Sequence, residues 1–320
     1  MKAFESRLVA IETYLKGHPY PQEPAHLYDP IRYFMALGGK RIRPLFTVLC
    51  AELFRQPIAA SLPAAAAIEM FHNFTLIHDD IMDQAPKRRN LPTVHEQWNS
   101  NIAILSGDAL MIHAFKELEA YDAIKYQRLS SLLNKTAIEV CIGQQMDMDF
   151  EQLSTVSQED YLSMIRLKTS VLLGCACAFG GILGDASEQQ INTLYGFGEQ
   201  LGIAFQIQDD LLDTFGTEDA VGKQIGGDIL CDKKTLLYIA FHERADKREK
   251  ALFEQYRGMT GEEKIAGIKQ LYWDANVLDH CKSIQEVHWK NTLGYLDEMR
   301  TVSDCGLFQE LLQFIVHRNY

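Results

Sequence analysis

Phe74-Thr-Leu-Ile-His-Asp-Asp-Ile-Met-Asp83, followed a few residues later by Lys87-Arg-Arg89, decides how this chain is read. The segment that carries it, from about Pro63 to Met82, is richer in apolar residues than a surface helix, which places it in the interior. A helix advances about 100° per residue, so Asp79 and Asp83 lie one turn apart on one face while Asp80 points about 100° away. The helix dipole gives no help to carboxylates at a C-terminal end, so aspartates clustered there need another reason, and a bound cation supplies one. Magnesium fits this spacing: it takes oxygen ligands, keeps several waters, and is commonly held by one or two carboxylates plus substrate phosphates.

The same arrangement recurs in Gln206-Ile-Gln-Asp-Asp-Leu-Leu-Asp213, where Asp209 and Asp213 share a face and Asp210 lies off it. One acidic i, i+4 pair is ordinary on a solvated helix. Two identical boxes, each closing a strongly apolar helix (Phe74-Thr-Leu-Ile-His and Ile203-Ala-Phe-Gln-Ile), place their carboxylates at the mouth of a core. Facing each other, they would cage a cluster of magnesium ions and one diphosphate. Cations from other segments would complete the cage: Lys40, Arg41 and Arg43; Lys87, Arg88 and Arg89; Lys168; Lys223, Lys233 and Lys234. Arginine's planar fork suits bidentate phosphate contact, and lysine serves as a mobile point charge. An apolar interior beneath a metal–diphosphate mouth points to ionisation of a C–O bond and a carbocation held away from water, chemistry that needs no nucleophilic side chain. Consistently, the chain has no Gly-x-Ser-x-Gly elbow, Walker loop, HExxH or dinucleotide fingerprint.

The rest of the 320 residues supports an all-α chain. Alternating strand patterns and Asn-Gly or Asp-Gly hairpin turns are lacking. A first helix is expected over Lys2 to Lys16, and a second opening with Asp29 as N-cap and Pro30 at its first position and ending at Gly38-Gly39. Further helices run from Asn101 to Ala120 and from Asp122 to about Asp147. Ser157 with Asp160 and Ser187 with Gln190 have capping-box spacing, and Gly216 ends the helix of the second acidic box. With no low-complexity linker or shift in composition, one domain over residues 1–320 is the economical expectation.

The formal net charge of -12 argues against a nucleic-acid or anionic-membrane binder, so a phosphate site must be locally basic. Seven cysteines without a CxxC pair read as reduced, buried side chains of a cytoplasmic protein. The longest uncharged run, Thr169 to Gly184, is short of the ~20 residues that span a bilayer.

In Gly38-Gly-Lys-Arg-Ile-Arg-Pro44, His78-Asp-Asp-Ile-Met-Asp83, Arg88-Arg-Asn-Leu-Pro-Thr-Val-His95, Gly107-Asp-Ala109, Gly143-Gln144, Lys168-Thr169, and Phe205-Gln-Ile-Gln-Asp-Asp-Leu-Leu-Asp213 with Gly222-Lys223, the chain resembles the trans-isoprenyl diphosphate synthases over about residues 30 to 240. The resemblance implies about a dozen helices around a central apolar cavity, a homodimer, and head-to-tail condensation of isopentenyl diphosphate onto an allylic diphosphate. It implies about three Mg2+ ions, held principally by Asp79, Asp83 and Asp209 with Asp80, Asp210 and Asp213 in support. Arg88, Lys168, Gln206, Lys223 and Lys233 would hold the allylic diphosphate; Lys40, Arg43, His72 and Arg89 would hold isopentenyl diphosphate. The general base implied is the released diphosphate. His72 lies two turns before Asp79, on the metal-facing side, although on the residues alone it reads as a core histidine, and its binding role rests on the resemblance. Two positions depart from the family: Asn90 stands where a glycine usually follows the paired arginines, and Cys231-Asp232 precedes Lys233 in place of Glu-Gly.

In this family a bulky residue five positions before the first aspartate limits product length. Here that residue is Phe74, beside the small Thr75, with Phe71 one turn further up. Helical arithmetic puts Thr75 about 40° from the Asp79 face and Phe74 about 140° away, so this role rests on the resemblance. The pattern looks most like the archaeal-type geranylgeranyl synthases, with farnesyl product as the alternative. A class I terpene cyclase would lack the second aspartate box and the isopentenyl site, and a non-catalytic partner subunit would be expected to have lost aspartates or arginines.

Overall fold

The structure is a computed structural model that describes residues 2–216 and 225–316. It is all-α. In chain order the helices are α1 (Glu5–Lys16), α2 (Ala25–Ala36), α3 (Ile42–Leu53), α4 (Ile58–Met82), α5 (Val94–Gln97), α6 (Ser100–Glu117), α7 (Ala123–Gln152), α8 (Gln158–Ile165), α9 (Val171–Leu183), α10 (Glu188–Phe215), α11 (Gly227–Leu230), α12 (Leu236–Arg244), α13 (Lys247–Arg257), α14 (Gly261–Asp274), α15 (Val277–Met299) and α16 (Gly306–Val316). A π-helical turn, Arg166–Ser170, separates α8 from α9. The strands found among the described residues are the two-residue β1 (Lys87–Arg88) and β2 (Leu91–Pro92), paired antiparallel.

The chain forms two compact units. The first comprises residues 1–135, 175–195 and 301–307, and its central element is α4, which packs against α1, α2, α3 and α6. Two helices here start earlier than their prolines imply. α2 begins at Ala25, whose N–H donates to the Glu23 carboxylate at 3.0 Å, so Asp29 and Pro30 lie inside it and not at its cap. α4 begins at Ile58 and runs through Pro63, which has no N–H to give to the helical ladder. The Tyr121 hydroxyl repairs the break, accepting from the Ala64 N–H at 3.1 Å and donating to the Ala60 carbonyl at 2.9 Å. Arg41, 3% exposed and in left-handed backbone at the start of α3, is held by Glu12 of α1 and Glu69 of α4. The cation counted with the phosphate-binding set is therefore a strut of the core.

The second unit comprises residues 136–174, 196–300 and those from 308 onward. Ile203, Ile207 and Leu211, spaced i, i+4, i+8 on α10, face a core made with Tyr161 and Ile165 of α8, Phe241 of α12, Phe253 of α13, Tyr272 of α14 and Cys281 of α15. The two expected caps form: Ser157 accepts the Asp160 N–H at the start of α8, and Ser187 that of Gln190 before α10. α7 runs to Gln152, past the expected end, because Lys234 caps it by donating to the carbonyls of Phe150 and Glu151 at 2.7 and 3.1 Å. The run Gln158–Leu183 is long and apolar enough by composition to cross a membrane, but 72% of its most apolar window is buried within the protein. Of the seven cysteines, all reduced, Cys141 and Cys231 are exposed, against the expectation that all are buried.

Candidate active site

In the first unit, α4 delivers Asp79 and Asp80 in its last turn and Asp83 as its C-cap. Asp79 is half-buried and Asp83 exposed, whereas Asp80 is 1% exposed. Arg88 Nε donates to both Asp80 oxygens at 2.9 Å, and a second guanidinium nitrogen lies 2.8 Å from Oδ1. Burial raises the Asp80 pKa above its ordinary value, and Arg88 opposes that shift. The side chain expected on the allylic diphosphate is thus oriented by the member of the box that points off the common face.

The basic loop is a β-hairpin that the sequence reading missed. Lys87 pairs with Pro92 and Arg88 with Leu91, leaving Arg89 and Asn90 as a two-residue connection with φ of 52° and 64°. Two consecutive positive φ values define the mirror-type turn that matches strand twist, and asparagine tolerates that region better than most side chains. Asn90, standing where the resemblance leads one to expect glycine, is thus suited to the turn it occupies. The signal was present in Arg89-Asn90 between two short basic and apolar segments, but four strand residues are too few to show a period.

His72 lies among these cations. Its Nε2 is 3.1 Å from a guanidinium nitrogen of Arg43, and since arginine can only donate, the ring nitrogen accepts. Burial, followed by the charges of Arg43, Arg88, Arg89 and Arg41, pushes its pKa well below 6.5. His72 is a neutral acceptor that orients Arg43. Lys40 and Arg89 are exposed on the same unit. Phe74 lies between two rings on α4: Phe71 at 5.5 Å, edge-on, and His78 at 4.8 Å. Phe71 is buried, and the Thr75 hydroxyl is turned back onto the His72 carbonyl at 2.8 Å.

The second unit holds a cavity of about 220 Å³ lined by Asp209, Asp210, Asp228, Lys168, Lys233 and Gln206, with Tyr161, Met164 and Ile165 among its walls. Lys168 sits on the π-helical turn, and a glycine on each of two helices lets that turn in. A Cβ on Gly143 of α7 would stand 2.2 Å from the Lys168 backbone nitrogen, and one on Gly202 of α10 would stand 2.7 Å from Ser170 Cα. The Lys168 ammonium reaches Asp147 on α7 at 2.6 Å. Asp210 is buried, accepting from the Tyr161 hydroxyl and, at 3.1 Å, from Gln206. Burial and the nearby Asp228 push its pKa up to about 8. Asp213, 1% exposed, accepts the Asp228 N–H at 2.9 Å, which ties the end of α10 to the segment bearing Lys233. Lys223 lies outside the described residues. Lys234 serves as the α7 cap described above, and not as a cation of the cavity alone. Asp147, Tyr161 and Asp228 were not expected as site residues: Asp147 lies four residues after Gly143 and Asp228 follows Gly226-Gly227, but no recurring pattern in the sequence marks either.

Among the described residues no three His, Cys, Asp or Glu side chains converge tightly enough to hold a metal unaided. The donor set nevertheless fits magnesium, which needs one or two carboxylates and takes its remaining ligands from water and phosphate. Asp210, which burial and then the neighbouring Asp228 keep protonated near neutral pH, is a carboxylate whose ionised form a divalent cation would stabilise.

Residues 24–274 match the family model described as polyprenyl synthetase. The chain is 37% identical to the geranylgeranyl diphosphate synthase of Methanosarcina mazei, covering 93% of this chain and 91% of that one. It is 34% identical to the geranylfarnesyl diphosphate synthase of Natronomonas pharaonis, covering 93% and 92%. The crystal structure of geranylgeranyl pyrophosphate synthetase from Pyrococcus horikoshii superposes with a TM-score of 0.88 at 33% identity, covering 99% of this chain and 100% of that one. Enzymes of this kind generally use Mg2+. With the match running through both units, both aspartate boxes and the basic hairpin, the chain belongs to the polyprenyl synthetase family.

Proposed function

We propose that the protein is a Mg2+-dependent short-chain trans-prenyltransferase that adds isopentenyl diphosphate head-to-tail to an allylic diphosphate, with geranylgeranyl diphosphate as its main product. The observation that carries this reading is the cavity in which Asp209, Asp210 and Asp228 stand with Lys168 and Lys233 over an apolar wall. The relatives named geranylgeranyl diphosphate synthase support the product. One synthase domain over residues 1–320 is part of the proposal, supported by a family match that runs unbroken through both units.

Asp79, Asp83 and Asp209 are assigned to about three Mg2+ ions, with Asp80, Asp210 and Asp213 positioning or supporting them. The ions, when bound, supply Lewis acidity that draws charge onto the leaving diphosphate. The protein's own groups do the rest. Arg88, Lys168, Gln206, Lys223 and Lys233 hold the allylic diphosphate, Arg88 pre-oriented by Asp80 and Lys168 by Asp147. Lys40, Arg43, His72 and Arg89 hold isopentenyl diphosphate, with neutral His72 aiming the Arg43 fork. Apolar walls exclude water from the developing cation, and the released diphosphate takes the proton that ends each cycle.

Phe74 is assigned as the residue that limits chain length, with Thr75 and Phe71 beside it. Phe71 packed edge-on against Phe74 favours a second reading, a shorter farnesyl product. A homodimer and a cytoplasmic location complete the proposal; the exposed apolar side chains of Leu105 and Ile112 on α6 support the dimer.

The test is transfer of labelled isopentenyl diphosphate to geranyl or farnesyl diphosphate with Mg2+, comparing wild type with Asp79→Asn and Asp209→Asn. Each substitution is expected to lower kcat/KM by on the order of 10²-fold or more. Cyclic products formed without consumption of isopentenyl diphosphate would instead identify a terpene cyclase.

A further inference from the structure

Lys264 on α14 is 5% exposed, yet no substrate role falls to it. A buried ammonium persists only where its protons are used, and here the donors go to one short segment. Nζ donates to the Leu230 carbonyl at 3.2 Å, the C-terminal carbonyl of α11, and lies 2.9 Å from Asp232 Oδ1. Asp232 adopts φ of 53°, the left-handed region, which aspartate enters more readily than most side chains but less readily than glycine. Arg257 of α13 approaches the same oxygen at 3.5 Å.

This segment carries two groups of the cavity. Asp228 opens it, bonded through its N–H to Asp213, and its backbone carbonyl accepts the Lys233 N–H at 3.0 Å. Lys233 stands between two anchored neighbours: Asp232, held by Lys264, and Lys234, tied to the end of α7. The Lys233 side chain itself is 43% exposed and its ammonium is 4.0 Å from Asp228. Without the anchors, a long exposed side chain in a left-handed turn would lose its aim.

We propose that Lys264, through Asp232, is a positioning residue for the diphosphate-binding segment Asp228–Lys233. The Lys264–Asp232 pair holds the left-handed turn that presents Lys233 and Asp228 to the cavity, so it governs diphosphate and metal binding in the second unit and not isopentenyl diphosphate binding in the first. The inference rests on the prenyltransferase reading for the identity of the substrate, but not for the binding of diphosphate.

The experiment uses the full-length protein, with Lys264→Met, which keeps the stem and removes the charge, Asp232→Gly, which removes the partner and relieves the positive φ, and the double variant. Two readouts are taken: calorimetric binding of inorganic diphosphate with Mg2+, and KM for each substrate in steady-state transfer. Lys264→Met is expected to weaken Mg2+–diphosphate binding and raise the allylic KM by about tenfold, the scale of one charge-assisted hydrogen bond. KM for isopentenyl diphosphate should not change. The double variant should recover part of the loss, because glycine adopts the turn without a clamp. Equal changes in both KM values, or a double variant no better than Lys264→Met, would overturn the proposal. Should Lys264→Met fold poorly, Asp232→Asn carries the test, since it keeps the backbone and weakens the same contact; unchanged diphosphate binding by that variant would also overturn it. If wild type bound diphosphate but elongated no primer, the prenyltransferase reading would fail while the positioning role stood or fell on the binding data alone.

Discussion

Replacing Gly143 by alanine perturbs the site without touching a charged group. The added Cβ would lie 2.2 Å from the Lys168 nitrogen and 2.7 Å from Lys168 Cα, against about 3.4 Å for an ordinary contact, so α7 and the π-helical turn must separate by about 1 Å. Both partners are helical backbone, which cannot rotate aside as a side chain can. Overpacking of this kind costs about 1–3 kcal/mol. The displacement falls on Lys168, whose ammonium is 2.6 Å from Asp147, and a misplacement of about 1 Å in a group that orients a substrate can cost on the order of 10²-fold in rate. The assay is paired: denaturant unfolding for stability and kcat/KM for the allylic substrate. Gly294→Ala is the control, because Gly294 lies in α15 with nothing within 4 Å of its added Cβ. It should leave activity unchanged and stabilise the protein by up to about 1 kcal/mol. If Gly143→Ala matched Gly294→Ala in both measurements, the claim that a close helix approach positions Lys168 would be wrong.

Other outcomes follow from the same geometry. Phe74→Ala should lengthen the product, and unchanged product masses would remove Phe74 from the chain-length role. Arg41→Met strands Glu69, 3% exposed, and should cost about 3–5 kcal/mol in denaturant unfolding, with a smaller loss when Glu69 is also made apolar. Metal-free protein should lose stability as pH rises from about 4 to about 8, with no further loss from this group above that. Asp210 has a folded pKa raised to about 8 from 3.8, so its contribution is fully present below 3.8 and declines across the window in which the native state keeps a proton that the unfolded chain has released. Asp210→Asn should flatten this slope. His72 acts in the opposite direction: its folded pKa is depressed below 6.5, so its contribution is present above that value and is lost as pH falls and the unfolded chain takes up the proton. Thermal unfolding of His72→Gln from pH 5 to 7 checks the sign, since the variant should show a shallower acid limb.

The helical class and both acidic boxes could be read directly because they are local: period, capping residues and i, i+4 spacing are visible within a dozen residues. Ser157 and Ser187 cap the helices they were expected to open. Legibility failed where a distant residue alters a local rule. Pro63 reads as a helix start unless Tyr121 is known to complete the ladder around it. Arg41 resembles its neighbours Lys40 and Arg43 until Glu12 and Glu69 are found on either side of it. The assignment of Lys168 to a π-helical turn depends on glycines at 143 and 202, far from it in sequence. Asn90 and Asp232, which depart from the family pattern, both turn out to occupy positive φ.

The central claim is the chain-elongating reaction and its product, and the mass of that product tests it most directly. Wild-type protein with Mg2+ and isopentenyl diphosphate, offered dimethylallyl, geranyl or farnesyl diphosphate in turn, should yield the twenty-carbon diphosphate as the dominant species from every primer it accepts. Accumulation of the fifteen-carbon diphosphate would contradict the product assignment, and no elongation from any primer would contradict the account itself.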